Sequence, residues 1–156
     1  PHAAHVVLHT GWPIRMVTLD VTNSALLRSQ QVDMLASNGS PVTGLIQQMI
    51  DYYLDAFGQL RGITAFAMHD PLCLAAALHP EMITWKPAYV DVELAGTLTL
   101  GETVAYFEQL EDIDPSLEHL HRSNVQASLG VDVERFIAFY LETVRQVFSS
   151  ATLTSE

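Results

Sequence analysis

The chain has 156 residues, 49% of them apolar, enough for one domain with a real core and too many for a disordered tail. Eighteen acidic residues against seven basic ones give a net charge of −11, which argues against nucleic acid and anionic membrane surfaces and fits a neutral small substrate or divalent cations. No apolar run is long enough to cross a bilayer, the N-terminus has no basic-then-apolar signal, and the single cysteine, Cys73, fits a reducing, cytoplasmic setting.

Residues 1–10 read as a short helix with Ala3, Val6, Val7 and Leu8 on its apolar side, ended by Gly11 and a Trp12-Pro13 turn. His2, His5 and His9 recur at i, i+3 and i+7 and share a face. With no carboxylate or cysteine interleaved, a solvated face is the plainer reading and a zinc site the sharper one. Residues 14–19 form a nearly continuous apolar run, expected as a central parallel strand buried on both faces. The run leads into Asp20-Val21-Thr22-Asn23, polar groups placed either to meet a ligand past a strand end or to cap the next helix.

Helices are expected over 26–36 and 42–60, separated by Asn38-Gly39-Ser40-Pro41. Leu45, Ile46, Met49, Ile50, Tyr53, Leu54 and Phe57 recur at helical spacing in the second and read as core. Residues 59–68 read as a loop, loosened by Gly58 and Gly62. Runs over 85–93 and 98–107, broken by Gly96 and Gly101, read as an antiparallel hairpin with one wet face. Residues 108–120 are acidic and irregular, with His119 and His121 read as solvated. A strand is expected over 124–130, then a last helix capped by Asp132 with the stripe Phe136, Ile137, Phe139, Tyr140, Val144 and Val147. The expected organisation is a single α/β domain over 1–148 and a frayed polar tail over 149–156.

The chemically richest stretch is His69-Asp70-Pro71, an imidazole and a carboxylate at the start of the apolar run Leu72-Cys73-Leu74-Ala75-Ala76-Ala77-Leu78. Asp followed by Pro reads as an N-cap and first helical residue, and the run behind it as a buried helix with Cys73 as a small core residue. Taken alone, the triplet is a helix cap with a packing histidine. Such a pair at the mouth of a buried helix also suits metal-linked acid–base chemistry.

The order of blocks along the chain resembles the inosine/uridine-preferring nucleoside hydrolases. The blocks are Pro1-His2-Ala3-Ala4-His5-Val6-Val7, Gly11-Trp12-Pro13-Ile14 through Leu19-Asp20-Val21-Thr22, His69-Asp70-Pro71, and Tyr89-Val90-Asp91-Val92-Glu93 leading into Gly101-Glu102-Thr103-Val104, with Asp132-Val133-Glu134-Arg135-Phe136 before the last helix. The resemblance implies an α/β fold, the C-terminal part of a nucleoside-hydrolase-like, Rossmann-like open sheet with flanking helices and an antiparallel hairpin. It implies cleavage of the N-glycosidic bond of purine or pyrimidine ribonucleosides, dependent on Ca2+. Asp70 matches the calcium-ligating aspartate, and His69 the histidine that protonates the leaving base. Asp20 matches a signature position and is carried over only in a supporting or structural role. Phe66, in Ala65-Phe66-Ala67-Met68, departs from the small residues and proline of many members and is placed to narrow the pocket or stack on a base.

Those enzymes are roughly twice this length, at the upper range of single domains. Their N-terminal Asp-x-Asp-x-x-x-Asp-Asp cluster, which binds calcium and supplies the base that activates water, has no counterpart in these residues. The expectation is therefore a C-terminal half, a truncated product or proteolytic piece, with no meaningful activity alone. The alternative is a non-catalytic, degenerate half that forms a homo-oligomer or binds a partner through an open edge beside the 14–19 strand.

Overall fold

The computed structural model describes residues 1–61, 64–107 and 123–148. Its elements run α1 (His2–Leu8), β1 (Ile14–Met16), α2 (Leu19–Thr22), β2 (Leu26–Leu27), α3 (Ser29–Ala36), α4 (Pro41–Arg61), β3 (Phe66–Ala67), α5 (His69–Leu78), a 3-10 turn (Pro80–Met82), β4 (Ile83–Val92), β5 (Thr103–Tyr106), β6 (Val125–Val131) and α6 (Val133–Phe148). The fold is α/β, as expected, with a four-stranded sheet in the order β1-β6-β4-β5 and a two-stranded β2-β3 ladder. No helix among the described residues is long and apolar enough to cross a membrane. The readings for Gly62, residues 108–120, His119, His121 and the tail from Ser149 fall outside the described residues.

The chain divides into two compact units, one of residues 1–18 and 83–130, the other of 19–82 and 131–156. In the first, β1 runs parallel to β6 and β4 pairs antiparallel with β5, placing Tyr89 opposite Tyr106 and Asp91 opposite Val104. The hairpin is thus the one the alternation indicates, although its second strand starts only at Thr103. Residues 98–101 form a turn whose Gly101 sits at φ +89°, where a side chain would be strained. Leu8, Ala88, Val90, Val92, Val125 and Ala127 make the core, with Ile14 and Met16 packed on it.

Asn124 binds three parts of this unit together. Its amide Nδ2–H donates to the carbonyls of Leu8 (3.0 Å) and Val90 (2.9 Å), and its Oδ1 accepts the Val90 N–H (2.8 Å). The Leu8 carbonyl is one of those a helix leaves unpaired at its C-terminus, so one side chain closes α1 onto β4 just ahead of β6.

Several expectations are corrected in this unit. The 14–19 run is strand only through Met16, with Arg15 exposed, and β1 stands at one end of the strand order instead of the centre. Leu19 already begins α2, because Thr18 turns away to bond Ser128 through both its N–H (2.9 Å) and its hydroxyl. On α1 only Leu8 is buried. Val6 and Val7 are exposed, because the turn faces the sheet through Leu8 and His5.

The second unit holds Ala25, Leu27, Val32, Leu35, Ile50, Met68, Leu72, Phe136 and Ile137 in its interior. Asp132 caps α6 as expected, its carboxylate accepting the Arg135 N–H at 3.0 Å. The expected 26–36 helix begins only at Ser29, since Leu26 and Leu27 pair with Ala67 and Phe66. The expected 59–68 loop likewise gives up its first residues to α4 and two to β3. On α4, Ile50 is buried while Leu45 and Met49 are exposed, so the apolar stripe is wider than the buried face.

The cap-then-proline signal is real, but it operates at Ser40-Pro41. Ser40 Oγ accepts the Val42 N–H (3.3 Å) and its carbonyl accepts the Gly44 N–H (3.0 Å). At the other site Asp70 is not the cap. The Met68 N–H is taken by the Ala25 carbonyl (2.9 Å) and the Met68 carbonyl accepts the Leu72 N–H (3.1 Å), so the helix opens at His69. Pro71 is then the third helical residue, where its missing N–H is still harmless. Helix α5 buries Leu72, Ala75 and Ala76 but exposes Cys73, Leu74 and Leu78, so it is not buried all round and Cys73 is not a core residue.

Replacing Asn124 with Ala leaves two carbonyls and an N–H without their partner. The expected cost is about 1–3 kcal/mol of stability, read as a lower urea midpoint with an unchanged slope.

Candidate functional site

His69 is the first residue of α5, and its side chain is exposed. Its Nδ1 lies 2.7 Å from the hydroxyl of Thr22, the last residue of α2 and itself buried. The same hydroxyl donates to the Leu19 carbonyl at 3.2 Å. A hydroxyl has one proton. If that proton goes to Leu19, Thr22 accepts from Nδ1–H, and Nε2 is left to face outward. The imidazolium form satisfies every one of these bonds, with Nδ1–H on Thr22 and Nε2–H free to be given away. The arrangement therefore suits a histidine that donates a proton from Nε2.

Asp70 follows in the first turn of α5, with its carboxylate exposed near the positive end of the helix. It borders an apolar pocket of about 400 Å3 whose walls include Leu74, Leu78, Phe139 and Tyr140. Asp20 is exposed in the first turn of α2, two residues before Thr22, and among the described residues no hydrogen bond or ion pair joins it to His69 or Asp70. Phe66, on β3, stacks edge-on against Tyr53 with centroids 5.0 Å apart. With Met49, Tyr53, Met68 and Tyr140 it lines a second apolar pocket of about 420 Å3, whose wall includes neither His69 nor Asp70.

A hard divalent cation such as calcium takes about six to eight oxygen ligands. Asp70 offers the right atom type, but among the described residues it belongs to no group of three metal-ligating side chains. These residues do not make a calcium site by themselves.

The one such group among the described residues lies in the other unit: His5, His9 and Asp91. His5 Nδ1–H donates to Asp91 Oδ1 at 2.6 Å, and the Val92 N–H donates to the same oxygen at 2.7 Å. Burial works against the Asp91 anion. The hydrogen bonds from His5 and Val92, with the charges of His5 and His9, outweigh it and hold the carboxyl below its ordinary value. Tyr89 stands beside it, its hydroxyl 3.4 Å from Asp91 Oδ2. Burial first, then the Asp91 charge, push that hydroxyl up, so Tyr89 stays neutral. The helical spacing of the histidines is visible in sequence, but their carboxylate is 86 residues from His5 and comes from the hairpin. Its only sequence signal is alternation, which puts Tyr89, Asp91 and Glu93 on one face of β4.

Residues 1–138 match the family described as "Inosine-uridine preferring nucleoside hydrolase". The chain is 32% identical over 147 residues to a Crithidia fasciculata protein named inosine-uridine preferring nucleoside hydrolase, covering 94% of this chain and 44% of the relative. It is 30% identical over 141 residues to a protein named pyrimidine-specific ribonucleoside hydrolase RihA from Citrobacter koseri, covering 90% and 45%. Among solved structures, a purine-preferring ribonucleoside hydrolase from Gardnerella vaginalis superposes with a TM-score of 0.82 at 26% identity, covering 97% of this chain and 45% of that one. A plant nucleoside hydrolase shares the fold with a TM-score of 0.81 at 21% identity. The chain spans less than half the length of the relatives it matches.

Two outcomes are expected from nuclear magnetic resonance. First, Asp91 titrates below the ordinary aspartate value of about 3.9, and His5→Ala moves its midpoint upward. The sign follows from the depressed folded-state value: the stability Asp91 contributes is present above the unfolded pKa and lost as pH falls through the folded one. Second, the 15N spectrum of neutral His69 shows Nδ1 protonated, and Thr22→Val lets the ring populate both tautomers.

Proposed function

The chain belongs to the inosine-uridine preferring nucleoside hydrolase family, and from that premise we propose that it is the C-terminal part of a ribonucleoside hydrolase, carrying the acid that protonates the leaving base. Cleaving an N-glycosidic bond develops positive charge on the ribose and negative charge on the departing base. His69 would meet the second need as the imidazolium: the residue is exposed, and its Nδ1 lies 2.7 Å from the Thr22 hydroxyl, which leaves Nε2–H as the proton to give. That contact is the observation that carries the reading. Asp20, at the start of the short helix that ends in Thr22, supports the position of that helix. Phe66 is placed as the residue that limits the base or stacks on it.

Asp70 is proposed as one oxygen ligand of a calcium ion in the complete protein. Bound calcium would supply a hard positive centre for water and ribose hydroxyls. Among the described residues Asp70 stands in no group of three metal-ligating side chains, so the ion's other ligands would have to come from elsewhere. The 156-residue chain alone is therefore proposed to lack meaningful hydrolase activity. A cytoplasmic setting is part of the same reading and rests on the lone cysteine.

A second reading has its own support. β1 occupies one end of the strand order, and Leu45, Met49, Leu74 and Leu78 are exposed in the other unit. A free strand edge and exposed apolar side chains favour association, so a homo-oligomer or a non-catalytic partner-binding half is the alternative.

The deciding experiment measures base release from inosine and uridine with calcium present. The isolated chain is expected to release none above background. In the complete protein, His69→Ala is expected to lower kcat about 10²–10⁴-fold on a substrate whose base needs protonation. Calcium-dependent turnover by the isolated chain, or an unimpaired His69→Ala enzyme, would overturn the respective claim.

A further inference from the structure

We propose that His5, His9 and Asp91 form a binding site for a borderline divalent transition metal of the zinc type, chemically distinct from the oxygen-ligand role proposed for Asp70. The nearest ligand atoms of the three side chains all lie within 4.8 Å of one another. Two imidazoles and one carboxylate with an open position suit zinc, nickel or cobalt and suit calcium poorly, which takes oxygen donors.

His5 lies on α1 and His9, four residues on, is the helix's C-cap; their rings stand 4.3 Å apart, centroid to centroid, on one side. His9 is already oriented as metal-bound histidines usually are. Its Nδ1–H donates to the His5 carbonyl at 2.8 Å, which leaves Nε2 as the atom on the cluster side, the one that gives up its proton to take a metal. Nε2 lies 3.7 Å from Asp91 Oδ2 and 3.3 Å from the Tyr89 hydroxyl. A tetrahedral ion with bonds of about 2.0–2.1 Å holds its ligands about 3.3 Å apart. The His9–Asp91 spacing of 3.7 Å is longer than that figure, so the metal would draw the two groups together by about 0.4 Å.

The His5 Nδ1–Asp91 Oδ1 distance of 2.6 Å is shorter, because a proton now bridges the two atoms. Binding replaces that proton with the metal, releases it to solvent, and parts the pair by about 0.7 Å. His5 is 37% exposed in its side chain and Asp91 28%, so this shift meets little resistance. Asp91 is steadied from behind by the Val92 N–H, and the cluster opens on a concavity of about 470 Å3 in which water can complete the coordination. Metal binding would clamp α1 to the hairpin strand β4.

The test titrates zinc into the 156-residue chain by calorimetry, with calcium as the control cation. One equivalent is expected to bind at micromolar concentration with proton release, and excess calcium is expected not to compete. His9→Gln and Asp91→Asn should each weaken binding by about tenfold or more, while His2→Gln should leave it unchanged. A readout on the unaltered protein covers the case in which a variant misfolds: zinc should shift the Nε2 15N resonance of His9 and saturate at one equivalent. Binding that is absent, multiple and spread over several histidines, or indifferent to both substitutions would overturn the proposal, as would saturation with no change at His9 Nε2.

Discussion

A side-chain amide inside a sheet must find partners for both its donor and its acceptor, and Asn124 finds all of them on segments far from it in sequence. It pairs with Val90 on both backbone groups and takes up the open carbonyl at the end of α1. Leu8 and Val90 are both buried in the core of this unit, so leaving their backbone groups unpaired would be costly. Leu8 is the one buried residue of α1. Fixing its carbonyl fixes the roll of the helix, and that roll decides which residues meet the strand. The meeting of His5 and His9 with Asp91 is a consequence of where one amide points.

The second unit uses the same device at Thr22. A buried hydroxyl at the end of a four-residue helix binds backward to Leu19 and forward to His69. Such a short helix has almost no stability of its own. Its end stays in place because the hydroxyl bond and the packing of Val21 hold it. Among the described residues the imidazole is thereby held on one nitrogen. A histidine bonded on both would be a structural strut, whereas one bonded at Nδ1 and open at Nε2 can pass a proton.

The fold class was legible because its signals are local. The hairpin follows from alternation through Tyr89, Asp91 and Glu93, α4 from a long 3.6-residue periodicity, and α6 from Asp132 ahead of an amphipathic run. What the sequence concealed is tertiary. The central position expected for 14–19 depended on hydrophobicity alone, and a run of apolar residues says nothing about how many neighbours a strand has. Asp70-Pro71 and Ser40-Pro41 carry the same capping signal. Only the second is a cap, because the bond from Met68 N–H to the Ala25 carbonyl, beside the β2-β3 ladder, fixes Met68 and starts α5 two residues early. His69 and Asp70 could be singled out from their chemistry and from the resemblance of the blocks. Thr22 was readable as a polar group past a strand end or as a cap, but not as the partner of His69, since that bond spans 47 residues.

The two histidine-containing sites differ in the kind of donor beside the imidazole, and that difference separates their chemistry. At His69 the ring leans on a neutral hydroxyl, with a carboxylate next in sequence that makes no bond to it among the described residues. Among the described residues no carboxylate shares the ring, which is the arrangement on which the proposed acid role rests. At His5 the ring proton is already shared with Asp91, and a second imidazole brings its Nε2 to 3.7 Å from the same carboxylate. A proton held between an anion and a nitrogen is poorly placed for transfer to a substrate and well placed for exchange with a metal. The proposed hydrolase reading gives the first arrangement a use. The second calls for a ligand of its own, and the softness of its nitrogen donors says which kind.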